Sequence, residues 1–120
     1  MILALLSLAT LGVSQLPPQK LVPGRCVVFL WTRSETPVRF AMLDESARSL
    51  RIVRGKQQID LPQTAPETYA GAGLSVSVRL EISERAGLTS GALVDSGVVR
   101  FDVPGKDSEA FPVGGIRACS

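Results

Sequence analysis

A chain of 120 residues, 45% hydrophobic and 20% charged, has the length of one domain and the composition of a packed core, which excludes wholesale disorder. Its formal charge is only +2, with acids and bases interleaved rather than gathered into the basic stripe of a nucleic-acid binder. There is no His, the usual general base and commonest metal ligand, and no Asn, so no N-glycosylation acceptor can form.

Residues 1–13, MILALLSLATLGV, are an unbroken run of apolar and small residues followed by SQLPPQ. The run is shorter than the roughly 18–20 apolar residues a bilayer span needs, and it fits the apolar region of a signal peptide. Gly12 and Ser14 occupy the −3 and −1 positions of a cut after Ser14. The expectation is a signal peptide over 1–14 and a periplasmic or secreted mature chain from Gln15. A retained anchor and a buried first strand are the alternatives, since no Lys or Arg precedes the run. Pro23-Gly24-Arg25 before Cys26 is no lipobox. Three prolines in LPPQKLVPG (16–24) predict an extended Pro-rich tether over 15–24, leading into a single β domain over 25–120.

Within that domain RCVVFLWT (25–32) is a strand apolar on both faces, with Val27, Phe29 and Trp31 opposite to Cys26, Val28 and Leu30. Such a strand is either covered on both sides or offers one face to a partner. PVRFAML (37–43) places Val38, Phe40 and Met42 opposite to Arg39, and LDESARSL (43–50) suits a turn. SLRIVRGKQQIDL (49–61) reads as a hairpin around Gly55. The clearest strand is GLSVSVRLEI (73–82), where Leu74, Val76, Val78, Leu80 and Ile82 alternate with Ser75, Ser77, Arg79 and Glu81. SERAGLTSGA (83–92) reads as a loop, with room for a helical turn at 84–86. GVVRFDV (97–103) is another strand, and AFPVGGIRAC (110–119) a last one, whose Pro112 predicts a sheet edge. Six or seven short strands without a long helical pattern predict an all-β fold, a small antiparallel β-sandwich or barrel.

The two cysteines bracket this domain. In an oxidising compartment Cys26 and Cys119 are expected to form one disulfide, with Cα atoms roughly 4.4–6.8 Å apart. Their spacing excludes a CxxC redox site, and two thiols without His make a poor metal site.

Catalytic chemistry finds little support. Without His, an activating base would have to be Lys or a carboxylate, and Lys20, Lys56 and Lys106 lie in the tether or at turns. Asp44-Glu45, and Glu81 with Glu84, are acids of turns and strand ends. YAGAGLSV lacks the spacing of a phosphate loop. No catalytic residue, cofactor or metal site is therefore expected.

Two surfaces remain as binding candidates. Val27, Phe29 and Trp31 share a face of one strand, and Phe29 and Trp31 are two of only six aromatic residues. Arg39, Arg79 and Arg100 each sit on the outward side of a strand, where they could converge on an anion or pair with neighbouring acids. Ten of the thirteen basic residues are Arg, which suits anion recognition and equally a GC-rich codon bias. Tyr69, before the long strand, suits a packing role at a corner. In outline an exported β domain with a terminal disulfide resembles the periplasmic inhibitors of C-type lysozyme. Those carry a Ser-Gly-x-x-x-Tyr loop, of which TAPETYAGAG (64–73) keeps only Tyr69, so no functional residue is carried over. The expected function is binding to a protein or cell-envelope component rather than to nucleic acid. A structural subunit of an envelope assembly is the alternative, and a small hydrolase comes third.

Overall fold

A computed structural model describes residues 14–83 and 91–119. The apolar run before Ser14 and the helical turn expected at 84–86 lie outside the described residues. Eight strands follow one another: β1 (Cys26–Thr32), β2 (Arg39–Asp44), β3 (Ser49–Arg54), β4 (Gln57–Ala65), β5 (Thr68–Gly71), β6 (Leu74–Ser83), β7 (Gly91–Asp102) and β8 (Glu109–Cys119). Each pairs antiparallel with the next, and β8 returns to β1, closing an up-and-down barrel. Every strand thereby has a partner on both sides, though the short β5 covers β4 only at Gln63 and Ala65 and β6 only from Leu74 to Ser77. No helix among the described residues is long and apolar enough to cross a membrane.

The all-β expectation holds, with one strand more than the sequence displays. β5 is the short TYAG segment, too brief to show a period of two. β7 begins at Gly91 rather than at Gly97, because a register shift between Val94 and Gly97 interrupts its alternation. Pro112 is not at an edge, since β8 lies between β7 and β1. Its carbonyl accepts the Arg33 N–H at 3.3 Å, beyond the last β1 partner Thr32↔Val113. N–H and C=O of one strand residue point the same way, so the missing N–H of Pro112 falls where the β1 ladder has already ended.

The barrel interior is apolar throughout. Val28 and Leu30 of β1 meet Leu50, Ile52, Leu61, Val76, Val78 and Val99 in one buried cluster. One end is filled by three rings, with Phe111 centred 5.4 Å from Phe40 and 5.7 Å from Phe101. No polar or charged side chain among the described residues is buried. β8 packs so tightly on β1 that a Cβ at Gly115 would lie 2.4 Å from the Phe29 carbonyl oxygen.

In β2, simple alternation breaks at a bulge. Leu30 pairs with Ala41 but Trp31 pairs with Arg39, leaving Phe40 as the extra residue. Phe40 therefore points inward and Met42 outward, where they were expected to share a face. In β6, Leu74, Val76 and Val78 are buried as expected, whereas Ile82 is 44% exposed beyond a second bulge at Glu81/Ile82.

Cys26 and Cys119 face each other across the β1–β8 ladder and are disulfide-bonded, with Cα atoms 4.0 Å apart. That is just under the expected range, for two residues directly opposed on the ladder. The bond closes the barrel over a sequence separation of 93 residues.

Within the Pro-rich segment 15–24, residues 15–19 lie against the barrel as a strap, while 20–24 are exposed. Leu16 is completely buried on the outer wall, against Val27 and Met42, with Phe29 and Val53 beside them. Its N–H donates to the Arg39 carbonyl at 2.8 Å. Further along, the Gln19 side chain donates to Gln58 at 2.7 Å and accepts from Arg51 at 2.9 Å. Arg51 is itself held by both oxygens of Asp60, a hydrogen-bonded pairing that raises its pKa further above the ordinary value.

Candidate binding surfaces on the outer wall

Among the described residues the barrel interior is filled by apolar side chains, and the two concavities considered below lie on its outer wall. The first candidate is built at the end of β1. Trp31 follows the inward Leu30 and so points outward, opposite Arg39 on one side and Gly114 on the other. Gly114 matters here: a Cβ at that position would lie 3.1 Å from the indole Nε1 and 3.5 Å from the Arg33 Nε. Its absence lets Trp31 and Arg33 lie against β8. Arg33 is fixed by donating to two backbone carbonyls, those of Val113 (3.1 Å) and Asp95 (2.7 Å).

On the other side of the indole, Arg39 has its guanidinium carbon 5.2 Å from the centre of the Phe29 ring, a cation–π contact. Its Nη2 donates to the Leu16 carbonyl over a long 3.5 Å. Its Nε is sealed from solvent and has no acceptor. Gln15, Trp31, Pro37 and Arg39 line an open concavity of about 550 Å³. It is too shallow to enclose a small molecule, but it fits side chains presented by another surface.

The second candidate lies on β6 and β7. Arg79 stands opposite Val98 and Arg100 opposite Ser77, so both arginines occupy neighbouring positions on the outer face. With Glu67 and the half-exposed Val98 they line a second concavity. Arg79 is 3.7 Å from Glu67 and highly exposed. Arg100 pairs with Asp102 at 3.2 Å and donates to Ser108 at 3.0 Å. The Ser108 hydroxyl also bonds to Asp102, and this bond, followed by the Arg100 charge, lowers the Asp102 carboxyl below its ordinary value. Pairs this exposed are screened by water and add little to stability.

The three arginines singled out from the sequence do not converge. Arg79 and Arg100 meet on one face, while Arg39 lies on β2, separated from them by β1 and β8. The three apolar residues divide as well. Val27 is buried beneath Leu16, whereas Phe29, beside Arg39, and Trp31 are both partly buried. Sequence reasoning missed Leu16, Gln15, Pro37 and Arg33. Arg33 was within reach of it, since alternation from Trp31 puts it on the same face.

Compared with known protein families, curated proteins and solved structures, the chain matches none. Among the described residues no three His, Cys, Asp or Glu side chains form a metal-ligand cluster.

Proposed function

We propose that this barrel is an exported binding module that docks a protein or another cell-envelope component on the Trp31 end of its outer wall and performs no chemistry of its own. The observation that carries the reading is Trp31 itself. It is the only indole in the chain, partly buried, and set beside a cation that no carboxylate among the described residues neutralises. Trp and Arg are the residue types that dominate interface energetics.

Two features of the fold support side-chain docking over other modes. The interior is filled by side chains, unlike barrels that hold a ligand in their lumen. Recognition by strand addition needs a free edge, and among the described residues the closed barrel leaves one only where β4 and β6 run past the short β5. Export is supported by the N-terminal apolar run and by the disulfide, a bond that persists in oxidising compartments.

A second reading, a structural subunit of an envelope assembly, is favoured by Val98, an apolar side chain 50% exposed between Arg79 and Arg100. Immobilised protein presented with envelope extract separates the two. Wild type and Val98→Ser should retain the same component, and Trp31→Ala should lose it. Loss in Val98→Ser alone would move the interface to β6 and β7. Equal retention by all three proteins would overturn the Trp31 site.

A further inference from the structure

We infer that Arg39 is a carboxylate receptor, so that the partner presents an acidic side chain next to an apolar one on a protein segment. This rests on the docking reading above and names the chemistry of that same site.

The described arginines differ in how they are neutralised. Arg25, Arg51, Arg79, Arg100 and Arg117 each have a carboxylate within 4.0 Å. Arg33 and Arg54 donate to backbone carbonyls instead. Arg48 is exposed to water in a turn. Arg39 alone is drawn partly out of water without an acid, resting on a ring and holding one carbonyl at 3.5 Å. Its Nε is a buried donor with nothing to accept from it. Buried donors are nearly always satisfied, and an unsatisfied one carries a desolvation cost that a charged acceptor returns.

The surroundings select the acceptor. The concavity contains one cation and no anion. The acid nearest in sequence, Glu35, is exposed and bonds to neither Arg39 nor Arg33. The planar fork of a guanidinium matches a carboxylate in bidentate geometry. A phosphate or an anionic lipid surface would call for several converging cations, whereas Arg33 is already turned to two backbone carbonyls. The indole and Pro37 flank the fork, so the group attached to the carboxylate must be apolar for the site to be filled. Such a pairing is characteristic of a peptide segment. The long bond to Leu16 is the contact Arg39 gives up when it turns toward the open side.

The test uses the full oxidised protein, isotopically labelled, and two probe peptides: acetyl-Gly-Leu-Glu-Leu-Gly amide and its Gln counterpart. Proton–nitrogen NMR follows the Arg39 Nε–H, assigned by its loss in Arg39→Lys, and the Trp31 indole N–H. The Glu peptide should move both signals saturably, with the Nε–H shifting downfield as it gains an acceptor. The Gln peptide, and the Glu peptide on Arg39→Lys, should bind about tenfold more weakly. If both peptides moved the indole signal equally and left the Nε–H still, the carboxylate class would be overturned while the docking surface stood. If neither peptide acted at millimolar concentration yet the envelope component was still retained through Trp31, the inference would fall alone. Loss of that retention as well would remove the docking reading itself.

Discussion

Leu16→Ala distinguishes a docked strap from a loose tether. The leucine is completely buried, yet it lies on the outer wall beneath a single segment of chain rather than inside the barrel. Core Leu→Ala substitutions cost about 2–5 kcal/mol, least where the site can collapse. A socket closed by one strap can collapse, so the loss should sit near ~2 kcal/mol. For a domain of this size that corresponds to roughly 8 °C in Tm. A second consequence follows from chain entropy. Ordering each strap residue costs about 1–2 kcal/mol. Against that stand Leu16, its backbone bond to Arg39 and the Gln19 contacts. Without the leucine the segment should detach before the barrel unfolds. Amide exchange at position 16 would then approach the rate of an open chain, and the Trp31 emission would shift to the red as the Gln15 wall leaves. Val22→Ser is the control, because Val22 is 51% exposed and should change stability by no more than about 0.5 kcal/mol. Equal melting of both variants, with the amide at position 16 still protected, would refute the strap.

Val78→Asp should unfold the barrel by placing an unpaired charge among buried aliphatic side chains, whereas Arg79→Ser, one residue on, should alter stability by at most about 0.5 kcal/mol. Thermal melts of the two variants that coincide would reverse the assigned faces of β6. Burial, reinforced by Glu45 and Glu67, raises the Tyr69 pKa above 10.0. The unfolded chain then loses this proton first, so the contribution is fully present below pH 10 and is lost as pH rises through the folded pKa. Stability of wild type should therefore fall relative to Tyr69→Phe above pH 10, and parallel Tm profiles from pH 8 to 11 would contradict this.

The parts of the fold legible in the sequence are those where one residue in two faces a continuous core. Leu74 to Val78 alternate over a stretch free of bulges, and β1 announces its two apolar faces. Bulges erase the same signal elsewhere. Phe40 and Met42 are two apart in sequence but lie on opposite sides of the wall, because Phe40 is itself the extra residue of the ladder. Asp95 and Ser96 hide the first half of β7 in the same way. The strap escaped for a different reason. A lone leucine among prolines and glutamines carries no periodicity, and its socket is assembled from β1, β2 and β3. The candidate site was legible only as separate residues. Nothing local states that Trp31 and Arg39 face each other, or that Arg39 is remote from Arg79 and Arg100. Those relations come from strand order.

The β1–β2 bulge ties the core and the candidate site to one irregularity. Continuing the register from Leu30↔Ala41 without it would set Phe40 opposite Trp31 and Arg39 opposite Thr32. Phe40 would then face outward beside the indole. Arg39 would enter an apolar interior that contains no acid to receive it, and burying an unpaired guanidinium there would cost more than a barrel of this size can tolerate. One extra residue exchanges the two. Phe40 turns in to meet Phe101 and Phe111, and Arg39 turns out over Phe29, where its carbonyl receives the strap and its guanidinium reaches the strap's own carbonyl. Bulges re-aim single side chains in this manner. Here the aromatic sent inward completes the core, and the cation sent outward is left without an acid of its own.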